Sequence, residues 1–296
     1  MKILLLGKGG QVGWELQRSL APLGELIALD WDSTQACGDF TQPEALAATV
    51  RAVAPQVIVN AAAHTAVDQA QAEPERARLI NATAPAALAR EAQSLGAWLV
   101  HYSTDYVFDG SGQQPWRETD APAPLNVYGQ TKLEGEQAVA AACERHLIFR
   151  TSWVYAARGN NFAKTMLRLA AERERLTVID DQIGAPTGAE LLADVTALAL
   201  RQVGHQPQCA GLYHLAAAGQ TSWHGYASHV IAQARRLKPD ATWRVQEIQP
   251  VPSSAFQTAA RRPHNSRLDT RRVQSTFDLH LPTWQQGVDR LLAEIL

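Results

Sequence analysis

Cysteine is scarce in this 296-residue chain, and the three present, Cys37, Cys143 and Cys209, are odd in number and far apart. That excludes a disulfide framework and a thiolate metal cluster, and it fits a reducing, cytoplasmic setting. Charge of one sign is concentrated nowhere: 27 basic and 29 acidic residues are scattered along the chain and leave a formal net charge of −2. Without a basic stripe there is no electrostatic footprint for nucleic acid, so the expected partner is a small molecule. Long apolar runs are missing too. The opening Ile3-Leu4-Leu5-Leu6 stops at Gly7-Lys8-Gly9-Gly10. It is too short for a secretory signal core or a membrane span and reads as a buried first strand. What is present is 46% hydrophobic residues, enough for a large globular core.

The first hundred residues alternate short apolar runs with alanine-rich amphipathic stretches, the pattern of βαβ units on a parallel sheet. Strands are predicted at Ile3–Leu6, Leu26–Leu29, Val57–Val59, Trp98–His101 and Leu147–Phe149, with a further short one ending at Asp39-Phe40. Helices are predicted at Val12–Leu20, Pro43–Val53, Glu75–Ser94 and Tyr128–Cys143. Together they spell a Rossmann-type doubly wound α/β domain over residues 1–150. After Arg150 the rhythm changes. Residues 151–296 read mainly as a smaller α/β substrate-binding domain, with segments near 185–215 returning to the first.

Gly7, Gly10 and Gly13 form a G-x-x-G-x-x-G run between the first strand and the first helix. Glycines there permit a tight turn, close backbone approach to a pyrophosphate and close helix–strand packing, and the helix N-terminus favours the negative charge. Such a run alone is weak; its strand–turn–helix context makes it a dinucleotide site, with Gln11 and Val12 opening the helix. Asp30, after the second strand, stands where an acid accepts hydrogen bonds from the adenine ribose. Asp39 and Phe40 are placed to close over the adenine, and Ala62, Ala63, His64 and Thr65 to let the cofactor backbone approach. His64 reads equally well as a packing residue. Asp30 favours NADH and Lys8, in the glycine loop, favours NADPH, so either nicotinamide is expected to serve.

Tyr128 and Lys132 are four residues apart at the start of a helix and share one face. A phenol titrates near pH 10 and is a poor proton shuttle; a neighbouring ammonium is expected to bring it down. Lys132 is also expected to bridge the nicotinamide ribose. Thr104, in Ser103-Thr104-Asp105-Tyr106, ends a strand upstream, where ligands bind in open α/β sheets. It is placed to polarise a substrate carbonyl while Tyr128 supplies the proton.

With these elements in order, the chain resembles the extended short-chain dehydrogenase/reductases and, within them, the dTDP-4-dehydrorhamnose reductase family. Arg150-Thr151-Ser152-Trp153-Val154-Tyr155, Asp181-Gln182-Ile183-Gly184-Ala185-Pro186-Thr187 and Arg262-Pro263-His264-Asn265-Ser266-Arg267-Leu268 carry the closer likeness. The resemblance implies NADPH- or NADH-dependent reduction of the C4 keto group of a dTDP-sugar. Tyr128 would be the proton donor, Lys132 its cationic partner, and Thr104, Asp105 and Trp153 the substrate contacts. It also implies a homodimer with Mg2+ at the contact, for which Glu15, Glu190 and Asp194 are the acids at hand, although a solvated acidic face explains them equally. The alternatives are another nucleotide-sugar 4-reductase or epimerase, and a non-catalytic subunit of the kind that partners methionine adenosyltransferase. A dehydratase would need an Asp-Glu pair after Thr104, but Asp105 is followed by Tyr106.

Overall fold

Strands buried on both faces need apolar side chains throughout, and Ile3, Leu4, Leu5 and Leu6 are all fully buried. In the computed structural model, which describes residues 1–296, this run is β1 (Lys2–Leu6), followed by α1 (Gln11–Leu20), β2 (Glu25–Leu29), α2 (Pro43–Val53) and β3 (Val57–Asn60). Next come α3 (Val67–Ala72), α4 (Pro74–Arg78), α5 (Ala84–Leu95), β4 (Trp98–Thr104), α6 (Val127–Ala142) and β5 (His146–Thr151). The second half runs through β6 (Val154–Tyr155), α7 (Phe162–Glu172), β7 (Arg175–Ile179), β8 (Ile183–Gly184), β9 (Thr187–Gly188), α8 (Ala189–Val203) and β10 (Gly211–His214). It closes with β11 (Thr221–Ser222), α9 (Trp223–Leu237), β12 (Glu247–Val251), α10 (Arg271–Phe277) and α11 (Trp284–Ile295).

Six parallel strands form the main sheet in the order β10-β5-β4-β3-β1-β2. Leu16 and Leu20 of α1 pack with Leu192, Val195 and Leu200 of α8 on one face. Leu46 and Val50 of α2, Leu88 and Ala92 of α5 and Val139 of α6 cover the other. The sheet is therefore doubly wound. From β1 the chain steps outward to β2 and then returns to β3 on the other side, so the crevice at a topological switch point opens beyond the carboxyl ends of β1 and β3. A separate core joins Met166 of α7, Leu176 and Val178 of β7, Tyr226 and Val230 of α9, and Val288 of α11 beside the parallel pair β7–β12. No helix is long and apolar enough to cross a membrane.

Two segments depart from the sequence reading. Cys37–Phe40 forms no strand. Asp39 instead makes a local turn, its Oδ1 accepting from Thr41 N–H at 2.8 Å and from the Thr41 hydroxyl at 2.8 Å, which competes with a ladder. The helix expected over Glu75–Ser94 is interrupted by a π-helical turn at Leu79–Thr83. Pro85 has no N–H to offer the Asn81 carbonyl four residues back. The carbonyl instead lies against Gly135 of α6, where an added Cβ would sit 2.1 Å from it.

Candidate active site

The glycine run folds as its spacing demands. Gly7 has φ +85°, and a Cβ on it would lie 2.7 Å from Ala62 N; a Cβ on Gly13 would lie 1.9 Å from the Gly7 carbonyl. Gly10 caps α1 with no side chain, leaving first-turn N–H groups facing the crevice for an anion. A cavity of about 490 Å³ runs from here between Gly7, Gly10, Asp30, Asp39, Phe40, Ala62 and Ala63. The close-approach glycines and the free N–H groups at the start of α1 are chemistry that fits a pyrophosphate.

Asp30 also has a second task. Its Oδ2 accepts from Gly9 N–H at 2.7 Å and its Oδ1 from Trp31 N–H at 2.9 Å, so the carboxylate orders the glycine loop as well as lining the cavity. Lys8 does not line it. The cation there is Arg76 of α4, held only by a loose 3.6 Å pair with Glu73. His64 lines neither this cavity nor the next. Its backbone N–H donates to Asn81 Oδ1 at 2.8 Å, while Asn81 Nδ2 donates to Thr131 Oγ1 at 3.1 Å, tying the loop after β3 to α6.

A second cavity of about 430 Å³ shares Gly10, Ala61 and Ala63 with the first, and adds Gln11, Val12, Thr65, Thr104, Asp105, Tyr128, Lys132, Trp153 and Trp223. Here the geometry brings together every residue assigned to chemistry. Asn126 caps α6, its Oδ1 accepting from Gly129 N–H at 2.8 Å. Gly129 in turn allows the helix to abut the Tyr106 carbonyl, 2.1 Å from where a Cβ would stand. Tyr128 meets Tyr106 edge to face, ring centroids 5.6 Å apart. Thr104 Oγ1 donates to Asp105 Oδ1 at 3.2 Å and accepts from Tyr106 N–H at 3.2 Å.

Burial pushes the Tyr128 phenol up to about 12, offset in part by the neighbouring Thr104 hydroxyl. The expectation that Lys132 brings it down is not met. Lys132 Nζ is turned to the Tyr102 carbonyl, 2.6 Å away, and burial draws the ammonium down to about 8, with Glu136 opposing. Tyr128 therefore holds its proton at neutral pH, which suits a proton donor. Burial also pushes Asp105 up to about 7, although the nearby Ser266 and Thr104 hydroxyls pull the other way. Its Oδ2 is buried without a partner.

Trp153 has a left-handed backbone, φ +50°, just beyond β5, and its indole stacks on Trp223 with centroids 3.6 Å apart. The acids considered for Mg2+ do not form a ligand set within one chain. Asp194 Oδ1 is taken by Arg18 Nη2 at 2.9 Å and the Ser19 hydroxyl at 2.5 Å, Glu15 pairs with Arg18 at 3.4 Å, and no three acidic, histidine or cysteine side chains converge. Arg76, Asn81 and Trp223 were not foreseen. Arg76 sits in a charge-rich Pro-Glu-Arg-Ala-Arg that reads as solvated surface; a Pro inside a helical pattern was the only signal for the turn holding Asn81.

Comparison with known proteins agrees with this geometry. The family described as RmlD substrate binding domain matches residues 1–296. A dTDP-4-dehydrorhamnose reductase from Shigella flexneri is 62% identical over 295 residues, covering 100% of this chain and 98% of the relative. A crystal structure of a dTDP-4-dehydrorhamnose reductase from Clostridium acetobutylicum superposes with a TM-score of 0.88 at 34% identity, over 100% of this chain and 99% of that one. One from Bacillus anthracis, solved in complex with NADP, gives 0.87 at 34% identity, over 99% of each chain. The chain belongs to the RmlD substrate binding domain family, that of the dTDP-4-dehydrorhamnose reductases.

Proposed function

We propose that this chain reduces the C4 keto group of dTDP-4-dehydro-L-rhamnose to dTDP-L-rhamnose, the final step of dTDP-rhamnose synthesis for cell-surface polysaccharide, using NADPH or NADH. The observation that carries the reading is the convergence of Thr104, Asp105, Tyr128, Lys132 and Trp153 on one cavity that opens onto the glycine cradle. When bound, the dihydronicotinamide supplies a hydride and is left oxidised. The C4 carbonyl carbon receives that electron pair, its π pair moves to oxygen, and Tyr128 Oη gives the oxygen a proton. Thr104 Oγ1 donates to the same oxygen, exchanging its bond to Asp105. Lys132 holds the ribose side, and the Trp153–Trp223 stack covers the deoxysugar and keeps water out.

Residues 1–150 with α8 and β10 serve as the cofactor-binding unit, and the rest of 151–296 as the substrate-binding unit. The enzyme works in the cytoplasm as a homodimer, with no nucleic-acid partner. The test is incubation with dTDP-4-dehydro-L-rhamnose and reduced cofactor, followed by product analysis. Stoichiometric dTDP-L-rhamnose and oxidised nicotinamide are expected; unchanged keto sugar, or a C4 epimer, overturns the reading.

A further inference from the structure

His101 is fully buried in the middle of β4, beneath the catalytic cavity. Its Nε2 lies 3.4 Å from Lys132 Nζ, and its Nδ1 lies 3.0 Å from Asn60 Nδ2 on the neighbouring strand β3. Asn60 leaves no freedom in how this chain of contacts is wired. Its Oδ1 accepts the Ala62 backbone N–H at 3.1 Å, so the amide nitrogen, which only donates, must face the imidazole. The Nδ1 of His101 is then the bare acceptor, and the neutral ring carries its proton on Nε2, a tautomer inferred from the network.

That proton points at Lys132. An ammonium there meets a donor with a donor; a neutral amine accepts from it. Lys132 keeps one good acceptor, the Tyr102 carbonyl at 2.6 Å, and the ring denies it a second. We propose that His101, oriented by Asn60, is a positioning residue that steers Lys132 and governs when that lysine carries its proton.

The other titratable groups around Lys132 do not supply this control. On its own helix, Glu136 favours the ammonium but is bound to Arg150 of β5, with Nε–Oε1 at 2.9 Å and Nη2–Oε2 at 2.6 Å. Tyr128 holds its proton at neutral pH, and Asp105, beyond the end of β4, titrates near 7. The ring itself stays neutral, since burial and the nearby lysine both hold it well below the usual imidazole range. Lys132's own shift, down to about 8, follows from its burial, and a ring that presents a donor offers the ammonium nothing to offset it.

The consequence for turnover rests on the reductase reading; the wiring does not. The chain has only five lysines, so its [13Cε]-lysine NMR signals are few enough to follow individually through a pH titration of the full-length protein. The Lys132 signal is identified by its loss in Lys132→Met. In His101→Gln the side-chain oxygen can turn to the ammonium. In Asn60→Ala the ring proton is free to move to Nδ1 and leave Nε2 as an acceptor. Each change should raise the Lys132 midpoint by about one pH unit, a tenfold change in proton affinity. A folded variant of either kind with the midpoint unmoved overturns the proposal, and the second variant carries the test if the first does not fold. A raised midpoint in a protein that turns over no keto sugar nucleotide leaves this inference standing and sinks the reductase reading instead.

Discussion

Trp153 and Trp223 lie face to face, centroids 3.6 Å apart and planes within 13°, one from the loop after β5 and the other opening α9. The stack joins the carboxyl edge of the main sheet to the second core, where Trp223 also touches Phe162 and Tyr226. Trp153 lines the cavity at the same time, its indole stacked on Trp223 and set so close to Gly184 that a Cβ there would lie 2.7 Å from the ring. An aromatic pair adds about 0.5–1.5 kcal/mol beyond burial, and tenfold in affinity is about 1.4 kcal/mol.

Trp153→Ala should therefore raise KM for the dTDP-sugar about tenfold or more while leaving the cofactor Kd near its wild-type value. Trp153→Phe should recover most of that loss. Calorimetric titration of both variants with cofactor and with dTDP-sugar checks it. A large fall in Tm with unchanged dTDP-sugar affinity would assign Trp153 to packing alone.

Tyr128→Phe should cut turnover by about 10²-fold or more, since it removes the proposed proton donor, and should leave cofactor binding intact. Because burial holds the phenol protonated to about 12, the wild type should show no loss of activity from Tyr128 deprotonation between pH 6 and 9. A basic limb in that range comes from Asp105, whose carboxyl loses its proton near 7, or from Lys132, whose ammonium is lost near 8, and Asp105→Asn separates the two. If Tyr128→Phe keeps near-normal turnover, the proton comes from elsewhere.

At the adenosine end, Arg76 and Asp30 face one cavity with opposite charge, which leaves cofactor choice close to balance. Two charges 4 Å apart interact by about 4 kcal/mol at an effective dielectric of 20, so either side chain is strong enough to tip it. Arg76→Ala should move the kcat/KM ratio about tenfold toward NADH, and Asp30→Ala about tenfold toward NADPH. The second change should also lower kcat/KM for both cofactors, because Gly9 N–H loses its acceptor. Ratios that stay put in both variants would show that neither residue senses the extra phosphate.

Much of this was legible because parallel strands buried on both faces read as unbroken apolar runs. Ile3–Leu6, Val57–Val59 and Trp98–His101 could hardly be anything else, and the Tyr128/Lys132 spacing fixed one helix face. What escaped depends on partners far away in sequence. The π turn at Leu79–Thr83 exists because Pro85 frees a carbonyl and Gly135 of α6 makes room for it. His101 hides inside a strand, and only the neighbouring strand brings Asn60 beside it. The idea that Lys132 would lower Tyr128 failed for the same reason, since sequence spacing put the two on one face but said nothing of the Tyr102 carbonyl that draws the ammonium away.

The last prediction concerns stability and pH. Asp105 and His214 are both buried and titrate in opposite senses. Burial raises the Asp105 carboxyl from 3.8 to about 7, so between those values the folded chain holds a proton that the unfolded chain has lost. Stability from this group is full below about 4 and is lost as pH rises through about 7. Burial, with Arg150 beside it, lowers His214 from 6.5 to about 3, so there the unfolded chain binds the extra proton. Stability from this group is full above 6.5 and is lost as pH falls toward 3. Between pH 4 and 6.5 the two slopes oppose, each about 1.4 kcal/mol per pH unit. Asp105→Asn should remove one of them and gain stability relative to wild type as pH goes from 4 to 8, by about 4 kcal/mol in all. His214→Gln should do the reverse, because an amide can still donate to the Trp116 carbonyl, 2.9 Å from His214 Nδ1, and never takes up a proton. Its stability relative to wild type should be several kcal/mol greater at pH 4 than at pH 7. Urea unfolding of the three proteins at pH 4, 6 and 8 measures both differences, and parallel curves across that range would mean that neither group titrates as its burial requires.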